Sequence, residues 1–189
     1  AMCPRCGNEA VLGDKSGSMS MAIELARQVS GILARMVKGK VHLIFFDSMP
    51  SYHDVTGKTY EEVSAITKRI TSGGNTSIGC GLQYVLDRGF EIDGIAVVSD
   101  GGHNTTPHFS AAYKAYDKKF DKSPTCYLFK TPGDTDRLSS ECTANGIDLQ
   151  VFDLRHGGSH EKVDFYSLPN LVATCRVNRY SLTDEIQNT

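Results

Sequence analysis

Apolar runs of five or six residues alternate with stretches of helical periodicity, and this alternation leaves the chain few architectures. KVHLIFFD, DGIAVVSD and TCYLFK are runs of β-branched, aliphatic and aromatic residues with no polar face. Such strands belong in a parallel sheet covered on both sides. Before the first of them, MAIELARQVSGILARMV places Ile23, Ala26, Val29, Ile32 or Leu33 and Met36 on one face of a helix. TYEEVSAITKRI reads as a helix with Thr59 as N-cap and Glu62 three residues on, the spacing of a capping box. GLQYVLDRG, HFSAAYKAYDKKF and DRLSSECTANG read as three more, the last ended by Gly146. PSYHDVTG is short enough for an edge hairpin, IDLQVFDL reads as a further strand, and LPNLVATC is the last clear element. Right-handed crossovers through helices of this length predict a three-layer α/β fold: a doubly wound, mostly parallel, Rossmann-like sheet with helices on both faces.

The chain has 189 residues, 40% of them hydrophobic, enough for one sizeable core. No repeat or linker divides it. One domain is expected over 9–177, with an N-terminal tail, 1–8, and a C-terminal tail, 178–189. The net charge of −2, with no long run of one sign, argues against nucleic acid or an acidic membrane surface as a direct partner. No apolar stretch approaches the roughly 20 residues a membrane span needs, and no signal-peptide pattern opens the chain. Apart from Cys3 and Cys6, the six cysteines are scattered through apolar patterns, which suits buried thiols in a reducing compartment. The expected location is cytoplasmic.

In a sheet of this kind ligands bind beyond the carboxyl ends of the strands, where the strand order reverses. Three segments reach that rim carrying side-chain oxygens. Asp14, Ser16 and Ser18 follow the first strand, EAVLGD; Thr76 sits in the glycine-rich loop SGGNTSIGCG; and Asp100 closes DGIAVVSD. Two carboxylates and three hydroxyls, with no histidine or cysteine among them, make a hard-oxygen site that suits Mg²⁺ or Mn²⁺, or Ca²⁺, rather than zinc. Gly73 and Gly74 would let the loop turn so that Thr76 reaches inward.

These segments resemble a known family. DKSGS matches the D-x-S-x-S motif of von Willebrand factor A-type domains, GGNTSIG resembles their threonine loop, and VVSDG resembles their third, aspartate-bearing loop. FFDS, with Asp47, is similar to the end of their second strand. The resemblance implies a metal-ion-dependent adhesion site. Ser16 and Ser18 would bind the ion directly, Thr76 directly or through water, and Asp14 and Asp100 largely through bridging waters. A protein partner's Asp or Glu carboxylate would complete the shell. The chain is most similar to the intracellular branch, nearest the C-terminal A-type domain of Ro/TROVE RNA-binding proteins. In such an assembly RNA would be bound only indirectly, by a region outside this one. Lys15, where the family usually has an apolar or small residue, either stands beside the ion or points to solvent.

Other readings of the same residues are weaker. Ser16 or Ser18 can cap the following helix. Gly7, Gly13, Lys15 and Ser16 imitate a phosphate-binding loop with the wrong spacing, and no G-x-S-x-G surrounds Ser16. Cys3 and Cys6, two residues apart, form half of a Zn²⁺ site whose other ligands do not follow. His156 and His160 bracket a loop. His103 and Asn104, just after Asp100, sit on the expected rim, where they contact a partner or simply finish the turn. The expected function is a cation-dependent binding module and not an enzyme. Mg²⁺-dependent phosphoryl transfer and a scaffold with a degenerate site are the alternatives.

Overall fold

The structure, a computed structural model, describes residues 7–17, 19–133, 136–154, 170 and 172. Six strands form one sheet: β1 (Glu9–Asp14), β2 (Val41–Phe46), β3 (Pro50–Asp54), β4 (Gly94–Ser99), β5 (Thr125–Lys130) and β6 (Leu149–Asp153). Their order is β3-β2-β1-β4-β5-β6, and only β3 runs antiparallel, on β2. The chain winds outward from β1 through β2 and, on the other side, from β4 through β5 to β6. The strand order therefore reverses between β1 and β4, which are parallel neighbours with Gly13 opposite Val98.

Among the described residues five helices cover the sheet: α1 (Ser20–Met36), α2 (Tyr60–Ile66), α3 (Ile78–Asp87), α4 (Phe109–Phe120) and α5 (Arg137–Ala144). Side chains alternate across the central strands, so each strand contributes to two cores. Val11, Leu43, Phe45, Ala96, Val98 and Phe129 face α1 and Val63 of α2. Leu12, Ile44, Phe46, Ile95, Val97 and Leu128 face α3, α4 and α5. This two-sided burial accounts for the unbroken apolar runs. The buried Tyr116 hydroxyl accepts the Ile92 amide at 2.7 Å and so ties α4 to the approach of β4.

Several boundaries differ from the sequence expectation, each for a local reason. Helix α3 starts at Ile78, within the glycine-rich stretch rather than after it. Helix α2 ends at Ile66; Thr67 closes it by turning its hydroxyl to the Val63 carbonyl at 2.7 Å, while Arg27 of α1 grips both the Thr67 hydroxyl and its carbonyl. Thr59 does cap α2, accepting the Glu62 amide at 3.3 Å. Most of LPNLVATC lies outside the described residues, although Val172 is buried against the α1 face.

Candidate metal-binding cleft

Asp14 is the last residue of β1 and is only 1% exposed. A carboxylate in that position needs donors, and three supply them. Its Oδ1 accepts the Ser16 amide at 2.9 Å and the Ser16 hydroxyl at 2.5 Å; its Oδ2 accepts the Ser99 hydroxyl at 2.7 Å. Burial pushes the Asp14 carboxyl above its usual value of 3.8; the Ser16 and Ser99 hydrogen bonds resist that rise, and the charge of nearby Asp100 adds to it.

The network then crosses to the glycine-rich loop, where Thr76 donates its hydroxyl to Ser16 Oγ at 2.6 Å. In this relay the Thr76 and Ser16 protons point along the chain of oxygens toward Asp14. Both residues line the cleft, and each hydroxyl keeps acceptor capacity beyond this relay. Gly74, held at φ +82°, gives the loop the left-handed turn this approach requires, and its carbonyl accepts the Gly17 amide at 3.2 Å. Asp100 closes the opposite side, its Oδ1 accepting the Gly102 amide at 2.9 Å. Ser16, Gly74, Thr76, Asp100 and Asn104 line a single cleft of about 360 Å³.

The structure thus brings together Asp14, Ser16, Thr76 and Asp100, from three separated segments. Ser18, Cys3 and Cys6 lie outside the described residues, as do His156 and His160. Ser16 does not cap α1; Met19 holds the N-cap position, and no side chain among the described residues caps that helix. Lys15 is turned aside and salt-bridged to Asp47 at 2.7 Å, so its ammonium is already matched by a carboxylate. Burial raises the Asp47 carboxyl, but hydrogen bonds from Lys15 and the Met49 amide outweigh it and hold the group below its usual value.

Asn104 acts between loops. Its Oδ1 accepts the Thr76 amide at 3.0 Å, and its own amide donates to the Thr76 carbonyl at 3.0 Å. His103 lines the cleft but is mostly buried, with Nε2 3.1 Å from Glu141 Oε2. Burial pulls the imidazole below its usual value, and the Glu141 charge pulls the other way.

Two supporting residues escaped the sequence reading. Ser99, fully buried, donates to Asp14 and accepts the Gly101 amide at 3.1 Å. A hydroxyl at the end of the otherwise apolar IAVVS was the signal, because a buried hydroxyl needs partners. Gly133 is the other: a Cβ there would stand 2.7 Å from Asp100 Cβ, so its bare backbone makes room for that carboxylate. Ser99→Ala removes a donor from a buried carboxylate and is expected to cost about 2 kcal/mol, read as a lower denaturation midpoint at unchanged m-value.

No protein-family model matches the sequence, and neither does any curated protein. Solved structures do. A von Willebrand factor type A protein from Catenulispora acidiphila superposes with a TM-score of 0.60 at 12% identity, over 92% of this chain and 42% of that one. The SpRpn10 VWA domain superposes with a TM-score of 0.54 at 12% identity, over 78% of this chain and 88% of the domain. The chain has a von Willebrand factor A-type fold. Among the other structural neighbours, the Ro (RSR) protein of Deinococcus radiodurans gives a TM-score of 0.57 at 15% identity, with 93% of this chain covering 35% of that protein. In this A-type fold the cleft lies at the β1–β4 reversal, where the strand carboxyl ends converge. No helix among the described residues is long and apolar enough to cross a membrane.

Proposed function

We propose that the chain is a divalent-cation-dependent binding module that captures a carboxylate-bearing protein partner. The observation that carries this reading is the unbroken chain of oxygens Thr76–Ser16–Asp14, with Asp100 across the same cleft. The donor set fits a hard dication. In an octahedral Mg²⁺ shell with bonds of roughly 2.1 Å, adjacent ligands stand about 3 Å apart. The Ser16 and Thr76 hydroxyls are 2.6 Å apart and need only a small separation to span one edge. Asp14, with both oxygens engaged by protein donors, would act through those hydroxyls and through water, orienting the direct ligands.

The ion would be Mg²⁺, with Mn²⁺ and Ca²⁺ as the chemically similar competitors, held by Ser16 and Thr76 together with Ser18. Neutral hydroxyl ligands leave such an ion electron-poor and able to accept an anionic ligand from outside. That gives a binding module rather than a catalyst: His103, the imidazole on the cleft, is turned to Glu141 rather than toward the oxygen cluster. The same reading places the chain in a Ro-like ribonucleoprotein, with RNA bound by another region. It also places it in the cytoplasm, in keeping with the buried free thiols Cys80, Cys126 and Cys142.

Titrating Mg²⁺ and Mn²⁺ into the wild type and Asp100→Ala tests the first step. One site is expected in the wild type and a 10- to 100-fold weaker one in the variant, the range for loss of an orienting carboxylate. Proteins co-purified with the wild type should then be released by chelator and absent from Asp100→Ala preparations. Equal cation affinity in both proteins would remove the reading.

A further inference from the structure

Beside the oxygen cleft stands a second group of ligating side chains with different chemistry. His103 and His108 lie on the segment between β4 and α4, and Glu141 lies on α5; their donor atoms fall within 4.8 Å of one another. His103 Nε2 is 3.1 Å from Glu141 Oε2, and His108 Nδ1 is 3.9 Å from Glu141 Oε1. The two imidazole rings meet edge to face, centroids 4.6 Å apart and planes at 81°.

The detail that favours a metal over a simple ion pair is Glu141 Oε2. It is buried and, despite the short distance to His103 Nε2, lacks hydrogen-bond geometry with it or with any other group among the described residues. Two donor atoms held close without a proton on the line between them are disposed as ligands of a common ion. Tetrahedral Zn²⁺, with bonds of 2.0 to 2.2 Å, sets neighbouring ligands roughly 3.3 Å apart. The observed 3.1 Å is near that value, and the half-exposed His108 has the freedom to close from 3.9 Å.

The surroundings resemble the outer support of a metal site. Glu141 Oε1 accepts the Ser110 amide at 3.1 Å and the Ser110 hydroxyl at 2.6 Å, which fixes the carboxylate and leaves Oε2 as its open oxygen. Arg137 donates to the His103 carbonyl at 3.0 Å and holds that residue's main chain. A cavity of about 810 Å³ opens over the three side chains and gives water access to a fourth position.

We propose that His103, His108 and Glu141 form a site for a borderline transition-metal dication of the Zn²⁺ class, with the fourth position open to water or an exchangeable ligand. Two imidazoles and one carboxylate match Zn²⁺ and its neighbours and are a poor set for Mg²⁺. The site is separate from the hydroxyl-lined cleft, although His103 lines both cavities. It does not depend on what that cleft binds.

Calorimetric titration of Zn²⁺ into the full chain tests it, with excess Mg²⁺ present to occupy the oxygen cleft. The background is Cys3→Ser/Cys6→Ser, so that the C-x-x-C pair contributes nothing. One Zn²⁺ per chain is expected. His108→Ala, at a half-exposed position, and Glu141→Gln, which keeps an oxygen for Ser110, should each weaken it at least 30-fold at an unchanged circular dichroism spectrum. Co²⁺ should give the intense visible absorption of a four-coordinate site in the parent and lose it in His108→Ala. No Zn²⁺ binding in the Cys3→Ser/Cys6→Ser protein, or affinity unaffected by both substitutions, overturns the proposal.

Discussion

Ser16→Ala is expected to remove most of the stabilisation that Mg²⁺ would confer through the proposed site. Ser16 is the middle member of the oxygen chain: its hydroxyl donates to Asp14 and accepts from Thr76. On the proposed reading it is also a direct ligand, so its loss should weaken Mg²⁺ by about 100-fold or more, the upper end for supporting residues. At a concentration about 100 times the wild-type dissociation constant, binding adds about 2.7 kcal/mol to the wild type and only about 0.4 kcal/mol to such a variant. For a domain of this size that is a rise in Tm of roughly 5 to 10 °C reduced to about 1 °C. The fold should survive, because the Ser16 amide and the Ser99 hydroxyl still donate to Asp14. Equal Tm gains in both proteins would show that the cation sits elsewhere.

The same measurement has a pH dependence of known sign. Burial is the first cause of the raised Asp14 pKa. A carboxyl whose pKa is higher folded than unfolded contributes its stability in full below the unfolded value of 3.8, and loses it as pH rises through the folded one. A dication reverses that loss by favouring the ionised form. The Mg²⁺-induced gain in Tm should therefore shrink as pH falls through the raised Asp14 pKa and be complete above it.

The fold was legible because the central strands are buried on both faces and so carry unbroken apolar runs, while α1 carries one apolar stripe. The antiparallel edge strand β3 was also readable, since PSYHDVTG has the mixed polarity that partial exposure allows. The cleft was legible through residue types alone: oxygen side chains at three strand or loop ends, two of them on strands expected to be neighbours. What lay hidden was the partnering of side chains in space. Lys15 could be read as a charge beside the ion or as one turned to solvent, and only the residue just past β2 shows it answered by Asp47. His103 looked like a rim residue, yet its ring is drawn toward Glu141, 38 positions further along the chain, by a helix whose sequence gives no hint of that meeting. Long-range pairs of this kind leave no period or spacing to read.

Gly79→Ala is expected to destabilise the protein by roughly 3 kcal/mol, and the same substitution two residues on will show why. A Cβ at position 79 would lie 2.3 Å from the Pro107 carbonyl oxygen and 2.5 Å from the His108 carbonyl, both of them backbone. Main chain there has little freedom to yield, since Ser77 donates its hydroxyl to that same Pro107 carbonyl at 2.8 Å and His108 is the N-cap residue of α4. At Gly81 the nearest atom to a new Cβ is Leu12 Cδ2 at 3.2 Å, the end of a side chain that can shift by a few tenths of an ångström. Alanine also gains about 1 kcal/mol of helix propensity over glycine at either position. Gly81→Ala should therefore fall within about 1 kcal/mol of the wild type, while Gly79→Ala forces the start of α3 away from the segment leading into α4. The Thr76–Asn104 hydrogen bonds bridge these same two segments, so the parting should also loosen Thr76 and weaken Mg²⁺ binding in Gly79→Ala alone. Denaturant unfolding and Mg²⁺ titration of the two variants side by side check both consequences. Equal stabilities would mean that this joint is not the rigid support on which the glycine-rich loop presents its hydroxyl.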